Sequence, residues 1–495
     1  MMRPSTFLLL AGLSALTGPV AAQSVSFASY AAYPMGPPCG PSAVAVVDIN
    51  GDRKPDILTA NSYNNTVGVL LNTGTGTFPA AATLYAAGGI SASTGGLATT
   101  GIAVADLDGD GNPDVVMANS GSNTVSVLKG SGTGTLQAPL TYSTGSNSQP
   151  CSVVLADMNG DGHPDLLTPN KNSTKVGVLL GNSNGTFQPV VEYATGTASG
   201  PQRLAAADVN NDGYLDVVTA NATNAVKILL GNGNGTLQAA TTYTTTLATV
   251  TSIAVADVTG DGQADLLLAG STSAPAGAVG VLPGNGNGTF QPGSLYLSAG
   301  GPPSRIVVAD LNQDGVLDLV TPNVDDRVSN LASNSLNVFL GSGNGIFKPA
   351  VAYGVGGKYQ PLDVAVADVN ADGRPDLICA HYQANWMVVF GNTTPLAARA
   401  TLPGTSATLH PNPASAATTL SLAGLPATVT QVQAMLLDAT GRAVGQQQLA
   451  AAQGTARAEV PTAGLAAGFY VLRLVAYTAQ GQPAGSLPAQ HLSVR

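Results

Sequence analysis

Asp106-Leu107-Asp108-Gly109-Asp110-Gly111-Asn112-Pro113-Asp114 is a nine-residue acidic loop that the chain repeats. Its relatives begin at Asp48, Asp157, Asp208, Asp257, Asp310 and Asp368, at intervals of 58, 51, 51, 49, 53 and 58 residues. A unit of this length cannot bury its apolar face alone. It must stack on its neighbours, as in a propeller or a solenoid.

Each unit has one anatomy. An alternating run such as Ile253 to Ala256 precedes the loop and reads as a strand. A second apolar run follows it, as in Asp165 to Thr168, usually ending near an Asn, and then a third, as in Val125 to Leu128. A Gly/Asn turn such as Gly231 to Thr236 comes next, in the left-handed geometry of tight hairpins. The fourth strand starts at Phe or Leu and carries a Tyr six or seven residues on, as in Phe187 and Tyr193. Four strands per unit make one propeller blade. Ala precedes the first Asp in every copy but the first, where Val47 stands, and a small residue there suits an inner strand crowded at the axis.

The two ends favour a closed ring over an open stack. The last unit stops after Trp386 to Asn392 and lacks a fourth strand. Residues 25–33 carry it instead: the Phe27 to Tyr33 spacing repeats that of Phe290 to Tyr296 and Phe347 to Tyr353. Pairing of this segment with the last unit removes an open sheet edge. The expected fold is all-β: a seven-bladed β-propeller over residues 23–392, a linker over 393–405, and a small Ig-like β-sandwich over 406–495.

Composition agrees. Of 495 residues, 44% are apolar, 9% charged and 5% aromatic, and Gly numbers 60, which suits many short strands and tight turns rather than a disordered chain. The net charge of −10 argues against nucleic acid as a partner. Of 28 acidic residues, 22 lie in the seven loops; the others are Glu192, Asp325, Asp326, Asp363, Asp438 and Glu459. Clustered carboxylates repel one another, so a cation belongs among them. One dication per loop would move the net charge from −10 to +4. Cys39, Cys151 and Cys379 have no paired-motif spacing and read as unpaired, which leaves metal as the staple.

The loop pattern, Asp-x-Asn/Asp-x-Asp-Gly-x-x-Asp, supplies only oxygen ligands and suits calcium better than magnesium, which keeps several waters. Side chains at positions 1, 3, 5 and 9 and the carbonyl of position 7 are the expected ligands. They are Asp48, Asn50, Asp52 and Asp56 in the first loop, and Asp106, Asp108, Asp110, Asn112 and Asp114 in the second. The third offers Asp157, Asn159, Asp161, His163 and Asp165, and the fourth Asp208, Asn210, Asp212, Tyr214 and Asp216. The fifth has Asp257, Thr259, Asp261, Gln263 and Asp265; the sixth Asp310, Asn312, Asp314, Val316 and Asp318; the seventh Asp368, Asn370, Asp372, Arg374 and Asp376. Up to seven ions are expected. The first loop has Arg53 where Gly is wanted, and the fifth has the weaker ligand Thr259, whereas the four carboxylates of the second predict the tightest site.

These loops and blades resemble the FG-GAP or VCBS repeat family, the calcium-bearing propellers of integrin α-subunit heads and many bacterial surface proteins. The resemblance covers residues 24 to 395 and implies calcium in the hairpin between the first two strands of each blade. After residue 405 the repeat vanishes. His410-Pro411-Asn412-Pro413, Leu437 to Arg442, Leu465 to Arg473 and His491 to Arg495 resemble the type A sorting domain of the Bacteroidetes type IX secretion system, with His410 where an aromatic is usual and the bulky Phe469 before Tyr470. The type IX machinery is the partner this implies. Arg3, the apolar Phe7 to Leu16 and Val20-Ala21-Ala22 read as a removable secretory signal over residues 1–22. That run is too short to span a bilayer, and no later one qualifies. A monomer, secreted or at the outer-membrane surface, is expected.

Enzyme signals are poor. There are two Glu and four His, and neither a Gly-x-Ser-x-Gly elbow nor a His-Glu-x-x-His helix. His381 reads as a solvated loop residue. The loops between second and third strands vary most and offer Tyr63, Lys171, Lys175, Arg327, Tyr382 and Trp386 as ligand contacts. Binding or adhesion towards a glycan or protein is the leading expectation. A secreted polysaccharide-acting enzyme and a structural surface protein are the alternatives.

Overall fold

The structure is a computed structural model that describes residues 24–36, 39–89, 101–196, 200–274, 276–324, 334–356, 360–394, 405–410, 417–437, 443–462, 465, 468–478 and 483–494. The expected signal over 1–22, most of the linker, and the Pro411-Asn412-Pro413 motif lie outside them. Among the described residues there is no helix, and so none long and apolar enough to cross a membrane.

Residues 24–394 form seven four-stranded antiparallel sheets, one per acidic loop. In the first, the strands are Pro41–Val47, Asp56–Asn61, Thr66–Leu70 and Thr83–Ala86. The second strand of every sheet is buried throughout, because both faces pack on neighbouring sheets, and this is why it reads as an unbroken apolar run. Apolar clusters join consecutive sheets. One sets Ile49, Leu58 and Val67 against Val115, Met117 and Leu128, and another sets Met35, Val44, Ile57 and Leu70 against Ala367, Ile378 and Met387, which seats the seventh sheet on the first. The ring is closed.

Closure uses the N-terminal segment, as the Phe/Tyr spacing predicts. Ala31–Pro34 pairs with Trp386–Phe390 and becomes the fourth strand of the seventh sheet. Phe27 bridges Asn392 ahead of it, so the regular strand is shorter than residues 25–33.

The Phe/Leu and Tyr positions do more than mark strand starts. Every fourth strand is largely exposed but carries one half-buried Tyr at its third position. That ring meets the Phe or Leu of the next sheet. Tyr142 meets Phe187 edge-on at 5.5 Å, Tyr296 meets Phe347 at 5.7 Å, and Tyr33 meets Phe78 at 5.2 Å across the closure. Several hydroxyls reach further: Tyr243 donates to the Gln291 carbonyl at 3.0 Å and Tyr33 to that of Gly76 at 3.2 Å. Each edge-to-face pair adds about 1 kcal/mol beyond its buried area, so the chain spends its few aromatics on the rim between blades.

The C-terminal segment forms two further antiparallel sheets. One contains Ser406–His410, Ala417–Ala423 and Thr455–Pro461; the other Ala443–Ala450, Val429–Leu437, Gly468–Thr478 and Pro483–Val494. They share one core that includes Leu420, Val432, Leu436, Tyr470 and Leu474.

Excising residues 24–34 leaves the Trp386–Phe390 edge bare. The expected result is a melting temperature lower by roughly 10 °C and self-association by size exclusion, both reversed by a peptide of residues 24–36. An unchanged melt would refute closure by this strand.

Candidate metal centres

Each acidic loop curls around its first aspartate. In the second loop Asp106 accepts the N–H of Gly109 at 2.8 Å, of Asp110 at 3.2 Å and of Gly111 at 2.8 Å. The side chain at position 3 accepts from position 5, and that of position 5 from position 7, as in Asp161 to Asn159 at 3.0 Å and His163 to Asp161 at 2.8 Å. Position 6 needs a left-handed backbone: Gly111 has φ +85° and Gly373 +83°. Arg53 is forced into the same conformation at φ +66°, where its N–H still reaches Asp48 at 2.6 Å. The strain expected of the first loop is therefore present.

The aspartate at position 9 has a second task that spacing does not reveal. It is at most 1% exposed in all seven loops. One oxygen accepts the N–H of position 2, and the other accepts the N–H of the second residue after the third strand. Asp165 takes Met158 at 2.8 Å and Gly181 at 2.7 Å; Asp376 takes Val369 at 3.1 Å and Asn392 at 2.7 Å. Burial pushes Asp56, Asp114, Asp165 and Asp376 up to about 6, against the pull of those two N–H groups. Neighbouring loop carboxylates raise them further.

The oxygens of Asp106, Asp108 and Asp114 lie within 4.8 Å of one another, and this is the one such group among the described residues. All-oxygen donors, a curled backbone and three carboxylates against the single cation Lys129 fit a hard dication.

The loops differ in the cations already beside them. Lys54 approaches Asp52 at 3.2 Å, Lys129 approaches Asp108 at 2.5 Å, and Arg374 approaches Asp372 at 3.7 Å. The Lys129 contact holds Asp108 below the usual carboxylate range. In the sixth loop the guanidinium of Arg473, from the C-terminal sheets, binds Asp310 and the Gln313 carbonyl. Gln448 donates to the Gly260 carbonyl of the fifth loop at 2.8 Å, and Met435 packs on the cluster between the fifth and sixth sheets. The C-terminal unit thus covers two loops, a contact no sequence motif announced.

The expected ligand contacts fall in separate places. Tyr63 is 40% exposed and stacks on Tyr382 at 4.8 Å, but Tyr382 is itself buried. Trp386 is 40% exposed nearby, opposite His381 and Pro34. Lys171 is exposed on the third sheet, and Lys175 there is paired with Glu192 at 2.9 Å. Arg327 lies outside the described residues.

His381 is not a solvated loop residue. It ends the strand Asp376–His381, is 1% exposed, and its Nε2 has no hydrogen-bond partner among the described residues. Five sister strands carry a buried Asn at that place: Asn61, Asn119, Asn170, Asn221 and Asn323. Burial pushes the His381 imidazole down to about 4. Cys39, Cys151 and Cys379 are buried and unpaired, as expected.

The FG-GAP-like repeat family matches residues 48–117, 106–168, 170–219, 208–268, 267–321 and 325–379. A secretion system C-terminal sorting domain matches residues 408–482. No curated protein matches the chain. Among solved structures, the chain is 22% identical to an Agrocybe aegerita lectin described as recognising non-reducing terminal N-acetylglucosamine, over 63% of this chain and 80% of that one, with a TM-score of 0.44. A complex of BBS1N with ARL6DN is 10% identical over 76% and 98%, with a TM-score of 0.48. A 6-phosphogluconolactonase homologue from Bacteroides fragilis is 15% identical over 65% and 86%, with a TM-score of 0.46.

Asp165→Ala orphans two buried N–H groups and is expected to cost about 3 kcal/mol in urea unfolding even under chelation, with Asp165→Asn milder; equal costs would refute the clasp. His381 has its own pH signature. Its folded value of about 4 lies below the unfolded 6.5, so its contribution is intact above pH 6.5 and about 3 kcal/mol is lost as pH falls through 4. His381→Asn is expected to remove that share of the acid limb; an unaltered limb would show His381 ionised when buried.

Proposed function

Because the chain belongs to the FG-GAP-like repeat family and ends in a secretion system C-terminal sorting domain, we propose that it is a calcium-stiffened propeller that binds a glycan or a protein outside the cell. The sorting domain indicates a secreted or cell-surface protein and implies engagement of the type IX secretion system. The convergence of Asp106, Asp108 and Asp114 supports the metal. Calcium would supply the charge that the loops lack, with Asp106, Asp108, Asp110, Asp114 and the Asn112 carbonyl as ligands in the second loop. The third, fourth and fifth loops carry three aspartates each, with Asn159, Asn210 and Thr259 at position 3, and have no ion pair of their own among the described residues.

The ions stiffen the scaffold and do not themselves contact a ligand in this reading. In an antiparallel meander, the loops between second and third strands emerge on the face opposite the acidic hairpins. Tyr63 and Trp386 are exposed there, at the junction of the seventh and first sheets. Flat rings beside polar neighbours suit a sugar face or a peptide, and a rigid ring holds them at fixed spacing.

Chelation is expected to lower the melting temperature by roughly 10 °C or more, since each site at a hundredfold excess over Kd contributes about 2.7 kcal/mol. Asp110→Ala should cost more than Asp52→Ala, because Lys54 already offsets Asp52 and Arg53 strains its loop. A metal-free elemental analysis at millimolar calcium would overturn the metal reading. A glycan array and a surface-protein panel, each run with Tyr63→Ala and Trp386→Ala, test the binding reading; no hit, or hits unaffected by either change, would refute it.

A further inference from the structure

Five residues before the first aspartate of each loop stand, in order, Ala43, Gly101, Ser152, Arg203, Ser252, Arg305 and Asp363. Four are small and three are charged. The position lies on the first strand of four sheets and just ahead of it at Gly101, Ser152 and Arg305, where the sheets converge on the axis. In four sheets the register shifts just before it, between Pro41 and Ala43, Pro201 and Arg203, Val250 and Ser252, and Pro361 and Asp363. Such a bulge re-aims the side chain that follows it. All but Ser252 line one axial cavity of about 70 Å³.

The charges in that cavity do not balance. Asp363 is already engaged: it accepts the N–H of Val44 at 3.2 Å and of its neighbour Val364 at 3.0 Å, and it pairs with Arg305 at 3.4 Å. Arg203 is 5% exposed, and its guanidinium has no acceptor among the described residues. The other lining residues are apolar apart from Ser152. Two guanidinium groups and one carboxylate leave a single positive charge. A buried guanidinium whose charge is only partly offset, here by a carboxylate shared with Arg305, is costly for a fold to keep.

We propose that the axial cavity is a binding site for one small monovalent anion, a carboxylate or a halide, held between Arg203 and Arg305. A monovalent anion neutralises the cavity, whereas a dianion overshoots. The volume is that of roughly five waters, enough for formate, acetate or a hydrated halide. The planar fork of Arg203 suits a carboxylate, which it can meet with two parallel N–H groups. Burial and the nearby Arg305 push Arg203 down to about 10 against the pull of Asp363, so it remains charged at neutral pH. The site draws on no acidic-loop residue and is independent of calcium.

The test uses the full chain. Crystals grown in bromide are expected to show an anomalous peak on the axis between the two arginines. At constant ionic strength, acetate should raise the melting temperature by roughly 2 °C over gluconate, which is too large to enter, and should saturate. Arg203→Met should abolish both effects. Should that variant not fold, Asp363→Asn serves: it raises the cavity charge to two and should tighten acetate binding roughly tenfold. Acetate that displaces bromide identifies a carboxylate site; bromide that resists acetate identifies a halide site. Either supports the proposal. An axis holding only water, melts in which neither acetate nor bromide differs from gluconate, or a bromide peak that survives Arg203→Met (an adventitious ion only) overturns it.

Discussion

A buried aspartate with each oxygen accepting one backbone N–H recurs in all seven sheets, and the architecture hangs on it. It ties the start of the acidic hairpin to the turn after the third strand, so three strands of a blade are bound at one end by a single side chain. Asp165 and Asp376 show the pattern at 2.7–3.1 Å. Each carboxylate carries a negative charge into an apolar setting, and burial raises its affinity for protons. The fold therefore accumulates negative charge at one face of the ring. The carboxylates on which the proposed dication sites depend thus belong to a clasp that is first of all structural.

Blade-to-blade cohesion rests on different residues. The apolar clusters are built from Val, Leu, Ile and Ala, with little aromatic content. What fixes the rotation of one sheet on the next is the pairing of a fourth-strand Tyr with the neighbouring Phe or Leu, backed by hydroxyl bonds such as Tyr243 to Gln291. An edge-to-face pair has a preferred angle, which a contact between aliphatic side chains lacks. Five of the seven junctions carry such a ring pair, and at the other two Tyr85 and Tyr193 pack in the same clusters as Leu136 and Leu237.

Much of this was legible from residue order. Seven acidic loops, four strands per unit, a missing last strand and a spare one at the N-terminus all follow from spacing, because a repeat reports one geometry several times. The role of position 9 was half visible: Asp165 could be read as an oxygen donor, but its two N–H partners come from Met158 and Gly181, and only folding places Gly181 there. His381 was misread because Tyr382 and Trp386 beside it suggest a surface loop; aligned with Asn61 and Asn170 it falls on a buried strand end. The axial charges were within reach too. Arg203, Arg305 and Asp363 share one repeat position, but their meeting depends on the ring closing. Arg473 on Asp310 could not have been foreseen, since no pattern in either segment encodes how the two units touch.

The seam has a consequence for biogenesis. Ser26 and Thr394, which bond across it, are 368 residues apart. Six sheets can form in order as the polypeptide lengthens, whereas the seventh waits for the final strands and for a segment made at the outset. Until then the nascent protein carries an unsatisfied strand at one end and a naked sheet margin at the other. Both are features by which chaperones and proteases recognise unfinished work, so a prematurely terminated product lacking the seventh unit would be open to disposal however well its other blades had folded.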